Sequence, residues 1–229
     1  MKRFLTFLLA ALLCFAFAAC NTNTNTGESS TEPDAISSAT KNESQSSTDS
    51  TDNNANTSNY DNAEQNETKI LIAYFSCTGT TEQVAKHIEN NLQADLYEIT
   101  PEIPYTSADL NYSDSSTRAT KEQRDESARP AISGTVESMS DYDIVFLGYP
   151  IWWGQAPKVI YTFLESYDFS GKTIIPFCTS HSSGIGSSDT ELHSLCSDST
   201  KWVQGKRFGG NASESEVVQW VNGLEKDRK

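Results

Sequence analysis

Residues 69–81, KILIAYFSCTGTT, are the part of the sequence that indicates the fold class most directly. Its first part, residues 69–76, is a nearly continuous apolar run, which is typical of a strand buried on both faces of a parallel sheet. The hydroxyl-rich turn that follows leads into residues 80–92, where apolar residues recur at the period of a helix. A buried strand followed at once by a helix indicates the start of a parallel βαβ unit.

The same alternation continues to the end of the chain. Further strands are predicted at residues 94–100, 143–149, 172–179 and 201–208, and further helices at residues 116–128, 157–167, 188–195 and 213–224. The last two helices each begin with a capping box, Ser188 with Glu191 and Ser213 with Glu216. The polar residues 101–140 predict an elaborated connection around the second crossover helix. The pattern therefore predicts an α/β fold in three layers, with a doubly wound, five-stranded parallel sheet covered on both faces.

The front of the chain differs from the predicted domain at residues 69–229. Residues 1–20 combine a basic start, a short apolar run and small residues before Cys20, which is typical of an export signal. The Ala-Ala-Cys ending resembles a bacterial lipobox and predicts a lipid on Cys20; an ordinary secretory signal is the alternative. Residues 21–68 are polar and acidic, so we expect a disordered tether. The sequence thus predicts an exported protein, anchored by lipid on the outer side of the cell membrane.

The chain is acidic, with a formal net charge of −14. Because nucleic-acid phosphates are bound by Lys and Arg, this composition argues against a nucleic-acid partner, and it is compatible with a basic protein partner. The five cysteines and three histidines include no CxxC spacing. No metal site is therefore expected.

The turn at residues 76–81, SCTGTT, groups short hydroxyl side chains around one glycine at the start of a helix and contains no Lys or Arg. Backbone N–H groups, the helix N-terminus and the hydroxyls together suit a phosphate monoester. The sequence is neither a Walker loop nor a GxGxxG loop. The alternative is a plain hydroxyl-rich helix cap without a ligand.

Two further loops follow predicted strands. Residues 148–154, GYPIWWG, place two adjacent tryptophans in a loop, which suits a flat aromatic ligand; the alternative is that they anchor the polar 101–140 segment. Residues 178–186, CTSHSSGIG, form a small-residue loop that could follow the edge of a ring through its main chain; the alternative is a mobile surface loop.

All three loops lie at the carboxyl ends of predicted strands, where ligands of open doubly wound sheets bind; flavodoxin is itself an example of this rule. The segments YFSCTGTT (74–81), GYPIWWGQAP (148–157) and GKTIIPFCTSHSSGIGSS (171–188) together resemble the flavodoxin family. The resemblance covers essentially all of residues 69–226. It implies the flavodoxin-like strand order 2-1-3-4-5 and FMN as a non-covalent cofactor.

The resemblance also implies a role for each loop. The first turn would hold the ribityl phosphate through Ser76, Thr78, Gly79, Thr80 and Thr81, with Cys77 in the same cofactor-binding turn. The aromatic loop would line the isoalloxazine ring through Pro150, Ile151, Trp152, Trp153 and Gly154, with Trp152 or Trp153 stacking on it. The third loop would border the pyrimidine end of the ring through Thr179, Ser180, His181, Gly184 and Gly186.

These expectations predict an FMN-binding electron-transfer protein without catalytic residues of its own, because the flavin performs the redox chemistry. Its partner would be a redox protein or a small electron acceptor. Two alternatives stay open at this point: an NAD(P)H-dependent quinone or flavin reductase on the same fold, and a non-redox ligand-binding module. Cys77 and Cys178 are expected to be small buried residues near the crevice rather than redox-active thiols.

Overall fold

The computed structural model describes residues 67–226 of the chain. The predicted export signal at residues 1–20, the predicted lipid site at Cys20 and the predicted tether up to residue 66 lie outside the described residues. Within residues 67–226, no helix combines the length and the apolar character needed to cross a membrane.

The described residues alternate between strands and helices, as the sequence predicts. The strands are β1 (Ile70–Tyr74), β2 (Asp95–Glu98), β3 (Thr100–Pro101), β4 (Ile132–Ser133), β5 (Ile144–Pro150), β6 (Thr173–Thr179), β7 (Lys201–Trp202) and β8 (Lys206–Phe208). The helices are α1 (Thr80–Leu92), α2 (Arg118–Arg124), α3 (Lys158–Glu165) and α4 (Glu214–Lys226), with short 3-10 helices at Met139–Asp141 and Thr190–Leu195.

The main sheet is parallel and has the order β2-β1-β5-β6-β7, with β8 also paired to β6. Because β7 and β8 share the fifth position, this is the predicted 2-1-3-4-5 order, which is confirmed. β5 lies in the centre, where Val145 faces Leu71 of β1 on one side and Ile174 of β6 on the other. The structure therefore has the predicted doubly wound α/β architecture.

Helices cover both faces of the sheet, which gives the predicted three layers. Successive residues of β1 enter different cores: Leu71 belongs to the core beneath α3, and Ile72 to the core beneath α1 and α4. Both residues are fully buried. Because side chains alternate between the two faces of a strand, burial on both faces explains the continuous apolar run in the sequence.

The predicted fifth strand at residues 201–208 is interrupted. The structure has two short strands there, separated at residues 203–205. The N–H of Gly205 donates to a carboxylate oxygen of Asp189 (3.3 Å) rather than to a neighbouring strand. A Cβ at Gly205 would lie about 2.4 Å from Ile185 Cδ1, so this position packs closely against the loop after β6.

Two predicted helices also differ from the structure. The helix predicted at 116–128 is limited to α2, and the one predicted at 188–195 is a 3-10 helix at Thr190–Leu195. The predicted capping box at Ser188 is wrong, because the Ser188 hydroxyl forms a hydrogen bond with the Tyr149 hydroxyl (3.2 Å) in the core. At α4, in contrast, the Ser213 hydroxyl accepts from the N–H of Glu216 (3.2 Å), as a capping residue does.

The 101–140 segment is a structured insertion between β2 and β5. Its first residue, Pro101, faces Ile132 in the antiparallel pair of β3 and β4. Thr117 caps α2 by accepting from the N–H of Thr120 (3.3 Å). The insertion therefore has its own local hydrogen bonds, which a polar stretch of sequence does not reveal.

The main chain of β5 at Gly148 lies close to the Phe177 side chain of β6, and this contact can be tested by substitution. A Cβ at this residue would lie 2.2 Å from the ring of Phe177 on β6. We expect Gly148→Ala to lower the free energy of unfolding by about 1–3 kcal/mol through overpacking, measured by urea denaturation. Gly209→Ala is the matched control, because nothing lies within 4 Å of the added atom. Equal stabilities of the two variants would contradict the close packing of β5 on β6.

Candidate functional site

A cleft of about 360 Å³ opens at the carboxyl ends of β1, β5 and β6. Its lining includes most of the residues predicted from the sequence: Ser76, Cys77, Thr78, Thr80, Thr81, Pro150, Ile151, Trp152, Thr179, Ser180 and His181. Three more lining residues, Leu110, Tyr112 and Gly210, were not predicted. Gly79, Trp153, Gly154, Gly184 and Gly186 are in the predicted loops but do not line the cleft itself.

The turn between β1 and α1 presents donors to the cleft. Gly79 is the N-cap of α1 and has a φ of 81°, a left-handed conformation that favours glycine. Its N–H donates to the Ser76 hydroxyl (3.1 Å), and the hydroxyls of Thr78 and Thr80 are 3.3 Å apart. Within the described residues, the N–H groups of Thr78, Thr80 and Thr81 donate to no protein acceptor. Free donors at the start of a 13-residue helix form a site for an anion.

Hydrogen bonds join the three loops across the floor of the cleft. The buried hydroxyls of Thr81 and Thr179 are 2.8 Å apart and link the start of α1 to the end of β6. The N–H of Ile151 donates to the carbonyl of Thr179 (2.9 Å) and links the loop after β5 to the same strand end. The positions of the loops are therefore coupled to one another and to the sheet.

The adjacent tryptophans have different environments. Trp152 is buried, and its ring packs edge-on against Phe75 (5.4 Å between centroids) and Tyr105 (5.0 Å). Trp153 is 36% exposed, and its ring lies 4.4 Å from that of Tyr112 at an interplanar angle of 34°. Trp152 therefore anchors the 101–140 insertion while also lining the cleft, and Trp153 is the exposed tryptophan of the pair.

The main chain at Trp153 is strained. Trp152 and Gln155 exchange two main-chain hydrogen bonds (2.9 and 3.0 Å), so residues 153 and 154 are the centre of a tight hairpin turn. Both central residues have positive φ, 49° at Trp153 and 82° at Gly154. Turns of this kind favour Asn-Gly, and a bulky side chain in the left-handed region is costly. The strained turn holds the Trp153 ring against Tyr112.

A network of charged and aromatic side chains next to Trp152 holds the 101–140 insertion in place. The Arg118 guanidinium lies 4.1 Å from the centre of the Tyr105 ring and pairs with the Glu122 carboxylate (2.7 Å). The Tyr105 hydroxyl donates to the same carboxylate. Desolvation and the bond to Glu122 both raise the pKa of Tyr105, so the phenol stays protonated. This network supports the aromatic face on which Trp152 packs.

The third loop is held by a residue that the sequence analysis missed. Arg207 of β8 donates from Nη2 to the carbonyls of Ser180 (2.8 Å) and His181 (3.0 Å), and from Nε to the Ser180 hydroxyl (3.2 Å). The Ser180 hydroxyl in turn donates to the carbonyl of Ser183. Arg207 is distant in sequence from this loop, so no local pattern could have identified it.

Tyr112 and Leu110 were missed for a different reason. They lie in the polar insertion, whose sequence has no periodic pattern and no motif. The one available signal was an aromatic residue in an otherwise hydrophilic segment. Tyr112 is 57% exposed, so it lies on the surface beside the cleft rather than in a core.

The cysteines of the cleft region have contrasting environments. Cys77 is exposed, so the expectation that it is buried is wrong, whereas Cys178 is fully buried as expected. Desolvation raises the pKa of the Cys178 thiol to about 12, and the charge of Asp189 adds to this rise. Cys77, Cys178 and Cys196, the cysteines that the structure describes, form no disulfide with one another. The described residues also hold no cluster of three or more His, Cys, Asp or Glu suited to a metal ion.

A doubly wound sheet with an anion-binding helix start and an aromatic loop at its switch point defines a mononucleotide-binding α/β protein. The comparisons with known proteins agree with this class. The family model described as Flavodoxin matches residues 69–224. The chain belongs to the flavodoxin family, whose cofactor is FMN.

Solved structures with this fold include close relatives of the chain. Two proteins provisionally named flavoproteins, from Bacteroides eggerthii and Bacteroides uniformis, share 41% and 42% sequence identity with a TM-score of 0.64 each. The matches cover 69% and 68% of this chain and 98% of each of those chains. A flavoprotein from Lactobacillus acidophilus, solved in complex with FMN, shares 22% identity with a TM-score of 0.48, over 67% of this chain and 99% of its own. A search of curated proteins finds no match.

Thiol alkylation tests the environments of the two cysteines. Desolvation raises the pKa of Cys77 although the residue is exposed; Arg118 opposes this rise and Glu98 adds to it. Because the thiolate is the reactive form, we expect the alkylation rate of Cys77 to keep rising with pH beyond about 9.5, where an ordinary thiol of pKa about 8.5 levels off. Cys178 should react only after unfolding. Peptide mapping by mass spectrometry separates the sites, and a plateau near pH 9 or labelling of native Cys178 would contradict these environments.

Proposed function

We propose that this protein is an electron-transfer flavoprotein that holds FMN in the cleft at the carboxyl ends of β1, β5 and β6. One observation carries the proposal. The residues with free N–H groups at the start of α1 and the aromatic loop after β5 line the same cleft. A phosphate group and a flat ring joined in one molecule match these two halves of the site.

The turn at residues 76–81 is suited to the phosphate. It offers main-chain donors, the hydroxyls of Thr78 and Thr80, and the positive end of α1. Among the residues that the structure describes, no Lys, Arg, Asp or Glu lines the cleft. Binding of the dianion would therefore depend on dipoles and hydrogen bonds rather than on ion pairs, as the hydroxyl-rich sequence predicts.

The ring would lie along the aromatic loop. Pro150, Ile151 and Trp152 line this side of the cleft, and Tyr112 lines it from the insertion with Trp153 stacked behind it. Thr179, Ser180 and His181 form the opposite border, with main-chain groups held by Arg207. When bound, FMN supplies the one- and two-electron chemistry. The residues of the chain bind the cofactor, orient it and exclude water.

Electron transfer is the function that this lining favours. His181 lies in the lining and is exposed at the rim. Within residues 67–226, no carboxylate or lysine lines the cleft to serve as an acid or base towards a second substrate. A redox protein or a small electron acceptor would exchange electrons with the cofactor at the rim where Tyr112 and Trp153 are exposed.

We further propose that the protein works outside the cytoplasm, tethered to the membrane by a lipid on Cys20. The support comes from the sequence: an export signal at residues 1–20, small residues before Cys20, and a polar, acidic segment at residues 21–68. A lipid with a long polar tether would keep the flavodoxin-like domain near the membrane and leave its cleft free to meet partners.

A fluorescence titration with FMN tests the cofactor site. We expect wild-type protein to quench flavin emission on binding. Trp153→Ala should weaken binding roughly 2- to 13-fold, because it removes the aromatic pair, worth about 0.5–1.5 kcal/mol, that holds the Tyr112 ring at the cleft. Trp202→Ala is the matched control. Trp202 also stacks on another ring, that of His193 (4.4 Å), but neither of these two rings lines the cleft. Its dissociation constant should equal that of the wild type.

Two results would contradict the proposal. If wild-type protein neither quenches nor binds FMN, the cleft serves another ligand or none. If the FMN-loaded protein oxidises NADH or NADPH with steady turnover in the absence of a partner, the reductase function is correct instead of the electron carrier.

Membrane attachment has its own test. We expect the full-length chain expressed in a bacterium to be found with the membrane fraction and to incorporate labelled fatty acid. Cys20→Ser should release it to the soluble exported fraction without label, whereas Cys14→Ser, which lies inside the apolar run, should leave attachment unchanged. Release of both variants, or of neither, would show that Cys20 is not the anchor.

A further inference from the structure

Gln123 of α2 makes two hydrogen bonds to the loop that follows β5 and one to the first residue of α3. Its Nε2 donates to the carbonyls of Trp152 (3.1 Å) and Ala156 (3.2 Å), and its Oε1 accepts from the N–H of Lys158 (3.2 Å). The side chain is buried, with 8% of its surface exposed. A buried amide that bonds to two carbonyls of one loop and to the start of the next helix fixes the path of that loop.

The two carbonyls bonded to Gln123 lie on either side of the strained turn. Trp152 begins the hairpin and Ala156 follows its last residue, so the amide joins both ends of the turn. The carbonyl of Trp152 also accepts from the N–H of Gln155 (3.0 Å). Because Trp153 has a φ of 49°, the turn tends to relax unless its surroundings hold it. Gln123 provides that constraint from outside the loop.

The third bond extends the constraint to α3. Pro157 is the N-cap of α3 and has no N–H, so the N–H of Lys158 is the first donor of the helix. The first N–H groups of a helix have no partner within the helix, and Oε1 of Gln123 satisfies this one. One side chain therefore fixes the aromatic turn relative to a helix that packs on the sheet.

We propose that Gln123 is a positioning residue for the cofactor: it holds the turn at Trp152–Gln155 in the conformation that receives the flavin ring. This inference rests on the proposed function. We call the three hydrogen bonds of Gln123 the clamp. The inference assigns a role to the 101–140 insertion, because α2 of the insertion carries Gln123. Two other residues of the insertion are also near the site: Tyr112 lines the cleft and Tyr105 packs on Trp152. Gln123 itself does not line the cleft, so it acts through the main chain of the loop.

The substitution Gln123→Met tests the clamp in full-length protein. Methionine has a similar length and shape but cannot make the three hydrogen bonds. We expect the dissociation constant for FMN to rise on the order of tenfold and the visible circular dichroism of bound flavin to change. Thr200→Val is the matched control. It removes another buried hydrogen bond from a side chain to a main-chain carbonyl, the one that Thr200 Oγ1 donates to the carbonyl of Phe169 (3.0 Å). Neither of these residues lines the cleft. FMN affinity should be unchanged in that control.

A second measurement does not need the cofactor. Amide hydrogen exchange of FMN-free protein reports on the turn directly, through the N–H groups of Trp152 and Gln155 that bond across it. We expect both to exchange faster in Gln123→Met, while amides of the central strand β5, such as Phe146, keep wild-type rates. If Gln123→Met fails to fold, Gln123→Glu keeps an oxygen for the N–H of Lys158, lacks the amide donor and should show the same local loosening.

The outcomes separate this inference from the proposed function. Absence of FMN binding by wild-type protein contradicts the proposed function, and exchange at Gln155 still reports whether the clamp holds the turn. If wild-type protein binds FMN but the Gln123 variants match Thr200→Val in both affinity and exchange, the clamp is refuted. Faster exchange with unchanged FMN affinity also overturns the inference, because the turn would then not need Gln123 to receive the ring.

Discussion

The pairing of β5 with both of its neighbours sets the geometry of the sheet and of the cleft. β5 pairs with β1 from Ile70↔Ile144 to Tyr74↔Gly148 and with β6 from Ile144↔Thr173 to Pro150↔Thr179. This register brings the ends of all three strands to one edge of the sheet. The three loops then begin side by side, and the cleft follows from the topology without any loop having to reach across the molecule.

The parts of the fold that could be predicted from the sequence are those with a strong local pattern. The runs that became β1, β5 and β6 are apolar on both faces, and only the centre of a covered parallel sheet buries both faces of a strand. The turn at residues 76–81 was recognisable because its donors and its helix are adjacent in sequence. The unpredicted features depend on distant contacts: Ser188 bonds to Tyr149 rather than capping a helix, and Gly205 bonds to Asp189 rather than continuing a strand.

The same distinction explains what was missed in the site. Two adjacent tryptophans indicated an aromatic loop, but which ring is buried is decided by Phe75 and Tyr105, and the latter lies in a segment with no periodic pattern. Gln123 and Arg207 act on main-chain carbonyls far away in sequence. Such bonds leave no local signal, because a glutamine or an arginine at these positions looks like any polar surface residue until the fold brings it to its partner.

The arrangement keeps charged side chains out of the cleft lining while using them just behind it. Arg118 supports Tyr105, which packs on Trp152, and Arg207 holds the carbonyls of the third loop. Their charges are engaged by Glu122 and by main-chain oxygens rather than directed at a ligand. The lining therefore offers dipoles and hydroxyls to an anionic phosphate but no cation to offset further negative charge, in a chain whose net charge is −14. If FMN binds here as proposed, the negative charge that reduction adds to the flavin would meet no compensating cation in this lining.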